Sequence, residues 1–283
     1  MNNTLVKGMA VLEALAHSNR ALGVSELAVQ LEIGKSNAHR LLQALTELGY
    51  VQRNGDAGTY QASIRLWELG VAMFSNLDLP ALATPAMERL LLRCQETVHL
   101  SMLDNDEVVY LHKIDSPQPV RAYSQTGGRA PAYCVATGKA MLSALSDARL
   151  NDLSLRLQPH SPKSIVAPEA FLREMARIRD QGFAENRGEY RETVCGVAAV
   201  IRDPSGKVMA AIGISGPSER VKPSRFKTLG REVMSAAAEV EQAIAGDGQA
   251  SGQGRGQGGA AVGRSASSRS VADAGGSQMP CVS

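Results

Sequence analysis

Little in the sequence would tie a fold together covalently. Its 283 residues hold four cysteines, Cys94, Cys134, Cys195 and Cys281, with no CxxC pair among them. That excludes a zinc ribbon and a disulfide framework and fits reduced thiols. Long apolar runs are also lacking. Lys7, Glu13, His17 and Arg20 interrupt the first residues, so no secretory h-region is expected. No stretch reaches the roughly 20 apolar residues that a membrane-spanning helix needs. The expectation is a cytoplasmic protein without membrane contact. The net charge of +2 is too small to mark a polyelectrolyte binder, and it says nothing about a basic patch on one face.

Catalytic signals are equally thin. Gly213-Ile214-Ser215-Gly216 approaches a nucleophile elbow, but Pro217 takes the last glycine position and no histidine follows His160. Around Thr137-Gly138-Lys139-Ala140 a phosphate loop would need glycine where Tyr133 stands and a hydroxyl where Ala140 stands. His99 and His112 fall on neighbouring expected strands with Cys134 later, yet no ligand spacing supports a metal. Cys134 and Cys195 are more simply read as inert buried thiols than as oxidant sensors. No enzyme activity, catalytic residue, metal or cofactor is expected.

What is present divides the chain by composition: residues 1–63 helix-rich with one hairpin, 64–79 a linker, 80–246 alternating strand and helix patterns, and 247–283 a Gly/Ser-rich tail. The tail has too few large apolar residues to offset its chain entropy and is expected to be disordered. Its Arg255, Arg264 and Arg269 are too sparse for more than weak, salt-sensitive contact with nucleic acid.

In the first region, Met9, Val11, Leu12, Leu15 and Ala16 recur at helical spacing. A short helix with Leu27, Ala28 and Leu31 follows, with Ser25 and Glu26 in its first turn. A turn at Ile33-Gly34 leads to a helix from Lys35 to Gly49. At 100° per residue, Ala38, Leu41, Leu42, Leu45 and Leu48 share one face, and Ser36, His39, Arg40, Gln43 and Glu47 share the other. Hydrogen-bonding and cationic side chains on the amino-terminal turns are what base-edge reading in a major groove requires. Tyr50–Arg53, the turn Asn54-Gly55-Asp56-Ala57-Gly58 and Thr59–Gln61 form a hairpin. Helix, helix-turn-helix and hairpin in that order make a winged helix. The expected contacts to double-stranded DNA are Lys35, Ser36, Asn37, His39, Arg40, Gln43 and Arg53, with Lys35, Arg40 and Arg53 on phosphates. The alternative is a helical protein-interaction module, since the cations here barely outnumber Glu13, Glu26, Glu32, Glu47 and Asp56.

In the third region, Val98, Leu100 and Met102 alternate with Thr97, His99 and Ser101, and Val108–Ile114 is β-rich across the turn Asp104-Asn105-Asp106. Val197–Arg202 and Val208–Ser215 make a second hairpin around Asp203-Pro204-Ser205-Gly206. Helices are expected at about 85–95, 137–145, 168–181 and 224–245. An antiparallel sheet with flanking helices is an α+β fold. A further helix over Ile64–Phe74, carrying Leu66, Trp67, Leu69 and Val71, should join the two parts.

The ordered segments KSNAHRLLQALTELGYVQR, YQASIRLWELG, ETVHLSMLDNDEVVYLHKI, GGRAPAYCVATGKAML, IRDQGFAENRGE and GVAAVIRDPSGKVMAAIGISGPSER resemble the IclR family of bacterial transcription regulators. The resemblance runs from about Leu5 to Ala245. It implies a GAF-like effector domain, dimerisation through the linker and DNA-binding parts, and regulation of a promoter by a small organic acid. It also implies an effector site at Ala122, Ala130, Ala136, Thr137, Asn186, Val194, Gly196, Gly213 and Ser215. The chain departs from the family pattern where Gly196 takes a cysteine position, Val200 replaces a proline, and Asn186 stands where some members carry an acid. A small-molecule-binding signalling protein acting through protein contacts is the alternative reading of the whole chain.

Overall fold

The computed structural model describes residues 3–55, 57–74, 78–122 and 124–253. Asp56, most of the tail (Arg255, Arg264, Arg269 and Cys281 included) and the side chain of Val71 lie outside the described residues.

The amino-terminal unit is built from α1 (Asn3–Ala16), β1 (Leu22–Gly23), α2 (Val24–Gln30), α3 (Lys35–Glu47), β2 (Val51–Asn54) and β3 (Thr59–Ala62). Val11, Leu12 and Leu15 of α1 pack on Leu27 of α2, Leu41 and Leu42 of α3, and Val51 and Tyr60 of the wing. Burying such aliphatic side chains contributes about 1.5–3 kcal/mol each. Glu26 accepts the Gly23 N–H at 2.9 Å and pairs with Arg20 at 2.6 Å, which fixes the entry to α2. The sheet order β1-β3-β2 adds a short strand that no alternation announced, because two residues are too few to show a period. Leu48, expected on the apolar face of α3, is 57% exposed instead. The helix has ended there: Leu48 caps it, and the chain turns away through Gly49 at φ +81°.

The helix α4 (Arg65–Phe74) is fastened to this unit at its start. Ser63 Oγ donates to Gly49 O at 2.5 Å, Arg65 donates to Leu48 O at 2.8 Å, and the Arg65 guanidinium lies 5.0 Å from the Tyr50 ring centroid. Leu66 packs against the amino-terminal core, whereas Ile64, Trp67 and Leu69 are exposed.

The second unit comprises α5 (Leu79–Cys94), β4 (Thr97–Asp104), β5 (Glu107–Ile114), β6 (Arg129–Pro131), α6 (Ala136–Ser143), α7 (Asp147–Ser154), α8 (Pro168–Gln181), β7 (Ala184–Arg187), β8 (Val194–Arg202), β9 (Val208–Pro217) and α9 (Phe226–Gln253). Its six strands form one antiparallel sheet in the order β6-β5-β4-β9-β8-β7, so the two expected hairpins meet along β4 and β9. One face carries Val98, Leu100, Val197, Ile201, Ile212 and Ile214 against α5 and α9. The other presents Ala198 and Ala211 to Met141 and Leu142 of α6 and to Phe171, Met175 and Ile178 of α8. Helix α5 begins earlier than Pro85 suggested. Asp78 caps it by accepting the Ala81 N–H at 3.1 Å, Pro80 sits in the first turn, and Pro85 lies inside. Helix α9 runs through Asp247–Gln253, a stretch expected to be disordered. Extending a helix that is already packed costs far less than nucleating one, and composition alone reports only on packing.

Helix α6 is held unusually close to its surroundings. A Cβ on Gly138 would lie 2.2 Å from Ala132 O and 2.4 Å from Ala132 Cα, so only glycine fits. Lys139, 1% exposed, places its Nζ 3.1 Å from Glu174 of α8 and 2.8 Å from both carboxylate oxygens of Glu189, with hydrogen-bond geometry to Oε1 alone. Gly138→Ala is expected to destabilise the effector unit by about 3 kcal/mol, because backbone rather than a mobile side chain opposes the added methyl. Lys139→Met should cost about 3–5 kcal/mol by stranding two carboxylates. Urea unfolding of each variant beside the parent checks both values.

Candidate functional site

Two surfaces carry the residues singled out in the sequence. On α3, the side chains of Lys35, Ser36, His39, Arg40 and Gln43 are exposed and Asn37 is half-buried. Arg53 on the wing strand β2 is exposed as well. Asn37 Oδ1 accepts from Arg40 Nη2 at 3.2 Å, which tilts the guanidinium toward the amino-terminal end of the helix. The α3 residues therefore form one polar face on the first turns of a helix whose opposite side is buried, with a cation on the adjacent wing.

The second surface is a partly open cavity of about 250 Å³ between the sheet and the amino-terminal end of α6. Ala122, Ala130, Ala136, Thr137, Asn186, Val194, Gly196 and Ser215 all line it. Gly213 is not on its wall. It lies beneath Thr137, whose Cγ2 sits 3.0 Å from where a Cβ would stand. Each wall element has a local cause. Gly196 and Ser215 are register partners on β8 and β9, and Ala198 pairs with Gly213 one step along. These small residues let α6 approach the sheet. The N–H groups of Ala136 and Thr137 are in the first turn of α6 and have no intrahelical acceptor.

His99, weighed in the sequence only as a metal ligand, lines the wall too, and side chains that composition and spacing did not single out complete it: Tyr110, Ser124, Tyr190, Arg129 and Arg191 among them. Among the described residues, no aspartate or glutamate lines it. Arg129 is committed to Asp104 at 2.6 Å and Glu107 at 3.2 Å. Arg191 lies over the Tyr190 ring at 5.8 Å and has no ion pair among the described residues. Asn186 uses Oδ1 to accept the N–H groups of Gly188 and Glu189 at 2.9 and 3.0 Å, which leaves its amide N–H free to donate. The same turn therefore aims a donor at the cavity and delivers Glu189 to Lys139.

The ionisable groups follow their burial. Burial pushes Glu174 up, but hydrogen bonds from Arg177 and the charge of Lys139 overcome it and hold the carboxyl at about 2. Glu189 is pushed above the ordinary carboxylate range by burial, against the opposing pull of Lys139. Cys134 is raised to about 12 and Cys94 to about 11, chiefly by burial, and Cys195 is raised for the same reason. All three thiols are therefore protonated at neutral pH, which removes the thiolate that an oxidant sensor needs. His112 pairs in register with Leu100, one place away from His99, so the two histidines point to opposite faces of the sheet.

His99 is 4% exposed, and burial lowers its pKa to about 4, with Lys113 pushing the same way and Asp115 opposing. An unfolded histidine titrates near 6.5, so the unfolded chain binds more protons between the two values. Stability contributed by neutral His99 is complete above about pH 6.5 and is lost as the pH falls toward 4. Urea unfolding at pH 7.5 and pH 4 should therefore show the parent losing about 3 kcal/mol more than His99→Phe.

Comparison with known proteins agrees with this layout. Residues 4–55 match the IclR helix-turn-helix domain, and residues 71–242 match the carboxy-terminal domain of the bacterial transcriptional regulator IclR. The HTH-type transcriptional regulator KdgR of Escherichia coli K12 is 33% identical over 227 residues, spanning 80% of this chain and 86% of that protein. The crystal structure of Thermotoga maritima IclR superposes with a TM-score of 0.70 at 26% identity, over 86% of this chain and 99% of that one. An IclR homologue from Microbacterium hydrocarbonoxydans, crystallised with 4-hydroxybenzoate, shares the fold with a TM-score of 0.75 at 24% identity, over 86% of this chain and 100% of its own. With both of its domains matched in order, the chain belongs to the IclR family of DNA-binding transcription regulators.

Proposed function

We propose that this regulator binds an operator as a homo-oligomer and that a small carboxylic acid, bound in the effector cavity, modulates it. The observation that carries the ligand reading is the cavity's charge pattern: Arg191 without an ion pair among the described residues, the N–H groups at the start of α6, the Asn186 amide, and no carboxylate among the described wall residues. Helix amino termini and unpaired guanidinium groups favour anions. A volume of about 250 Å³ suits a ligand smaller than a drug-sized molecule. In this reading Arg191, Asn186, Ala136 and Thr137 hold the carboxylate. Ala122, Ala130, Val194, Gly196 and Ser215 surround its carbon skeleton, with Gly213 shaping the wall from behind.

Operator contact is assigned to Lys35, Ser36, Asn37, His39, Arg40 and Gln43 of α3 and to Arg53 of the wing. The exposed apolar side chains of Leu5 and Met9 on α1, and of Ile64, Trp67 (65% exposed) and Leu69 around α4, favour self-association near the DNA-binding unit. A two-fold pair of recognition helices then reads a pseudo-palindromic site. Such a protein works in the cytoplasm, beside the DNA.

Gel shifts on the DNA upstream of the gene, at stated salt, test the reading. Arg40→Ala, which removes a phosphate contact, is expected to weaken operator binding several-fold and to lower the slope of log affinity against log salt by about 1, with the fold intact. At least one small organic acid should change the parent's operator affinity. Unchanged binding by Arg40→Ala would favour a helical interaction module, and ligands that bind without altering operator affinity would remove the effector reading.

A further inference from the structure

His99 sits in the effector cavity with more hydrogen-bonding capacity than the strand needs. It is paired across the sheet with Gly213, and β4 and β9 are already joined by their backbone ladder. Its side chain turns to the cavity, where Nε2 lies 2.6 Å from Ser215 Oγ and Nδ1 lies 3.4 Å from Ser124 Oγ. The ring rests 5.1 Å from that of Tyr110, itself on the wall and with its hydroxyl kept protonated by burial. Four polar groups from β4, β5, β9 and the segment before β6 thus meet at one place on the cavity lining.

A neutral imidazole has one donor and one acceptor nitrogen. The row Ser124–His99–Ser215 therefore has a direction. One serine gives its proton to the ring and offers the cavity only lone pairs. The other accepts the ring N–H and keeps its own proton for a ligand. Exchange of the imidazole tautomer reverses the row without creating charge. The wall can present a donor or an acceptor at either serine, as the occupant demands. A hydrocarbon group placed against it would strand a hydroxyl, whereas a ligand oxygen satisfies it.

We propose that His99 is a specificity-determining residue: the Ser124–His99–Ser215 relay selects acids that carry a second oxygen function, a hydroxyl or a carbonyl, over the same acids lacking it. The inference rests on the reading that a small acid occupies this cavity. It adds the second recognition point.

Calorimetric titration of the full chain with matched pairs tests it: 3-hydroxybutyrate with butyrate, pyruvate with propionate, and 4-hydroxyphenylacetate with phenylacetate. The parent is expected to bind the oxygenated member of at least one pair roughly ten-fold tighter or more. In His99→Phe, which keeps the ring stack and removes both nitrogens, neither serine hydroxyl is held toward the ligand any longer and the ratio should fall toward one. Ser215→Ala breaks the same relay from its other end and serves if His99→Phe does not fold. A purely structural role for His99 would weaken both members alike and leave the ratio intact, which would overturn the inference. Equal binding of both members of every pair by the parent would also overturn it, while leaving the acid reading in place. Binding of none of the six would remove both.

Discussion

Taking a lysine out of water costs several kcal/mol, and a protein recovers that only by excellent pairing. Lys139 is fully buried, and its partners come from two separate places: Glu174 on α8 and Glu189 in the turn after β7. The network continues through Arg177, which pairs with both Glu174 and Glu185, and through Arg187 on Glu185. Three cations thus meet three carboxylates. The geometry fixes α6 between α8 and the 186–191 segment, and Gly138 against Ala132 fixes its height above the preceding turn. The cavity is what remains between a helix so clamped and a sheet kept flat-sided by Gly196, Ala198, Ala211 and Gly213. Its shape is a consequence of the buried charge.

The amino-terminal unit solves a different problem with cheaper means. It has no buried ion network among the described residues; aliphatic side chains on three helices and the Tyr60 ring fill its core. What must be held accurately is the orientation of α3 relative to the wing and to α4. Hydrogen bonds from Ser63 and Arg65 to the carbonyls of Gly49 and Leu48 do this, using the backbone acceptors that the end of α3 leaves free. Linker and recognition helix are therefore joined at the C-terminus of α3, while its N-terminal turns stay clear for DNA.

Most of this arrangement could be read from the residues. The 3.6-residue period of α3 separated Ala38, Leu41 and Leu42 from Ser36, His39, Arg40 and Gln43, because one side of that helix faces a core and the other faces solvent. On β4 the same logic finds the strand but not what covers its polar side. Thr97, His99 and Ser101 alternate with Val98 and Leu100, which suggests a wet face, yet Thr97, His99 and Ser101 are all buried. The polar face is covered by α6 and the cavity, and alternation cannot distinguish water from a lined pocket. Lys139, weighed only as part of a phosphate loop, hid its role for a related reason: a buried lysine looks like any other until its carboxylates, 35 and 50 residues away in the chain, are brought to it. Helix α7 was missed because its apolar positions are few, although Ser146 caps it by accepting the Arg149 N–H. Strands β6 and β7 are too short to show alternation.

A ligand changes operator affinity only to the extent that it binds the regulator's states unequally, and a ten-fold effect needs about 1.4 kcal/mol of difference. The segment 186–191 is where such a difference can be generated. Asn186, Tyr190 and Arg191 face the cavity, while Glu189 between them holds the buried lysine. In the proposed reading, an anion drawn to Arg191 and the Asn186 amide pulls on the same few residues that position Glu189. Shifting Glu189 by a fraction of an ångström acts on an ion pair in a low-dielectric interior, where Coulomb energy changes steeply with distance. Much of the remaining wall is backbone-paired strand and a glycine-locked helix turn, which yields little, and Ala122, Ser124, Gln125 and Gly128 of the other wall loop carry no charge. In the proposed reading, charge and compliance therefore coincide in the 186–191 segment, where a small acid can do work on the fold and a neutral ligand of the same bulk has nothing to pull against.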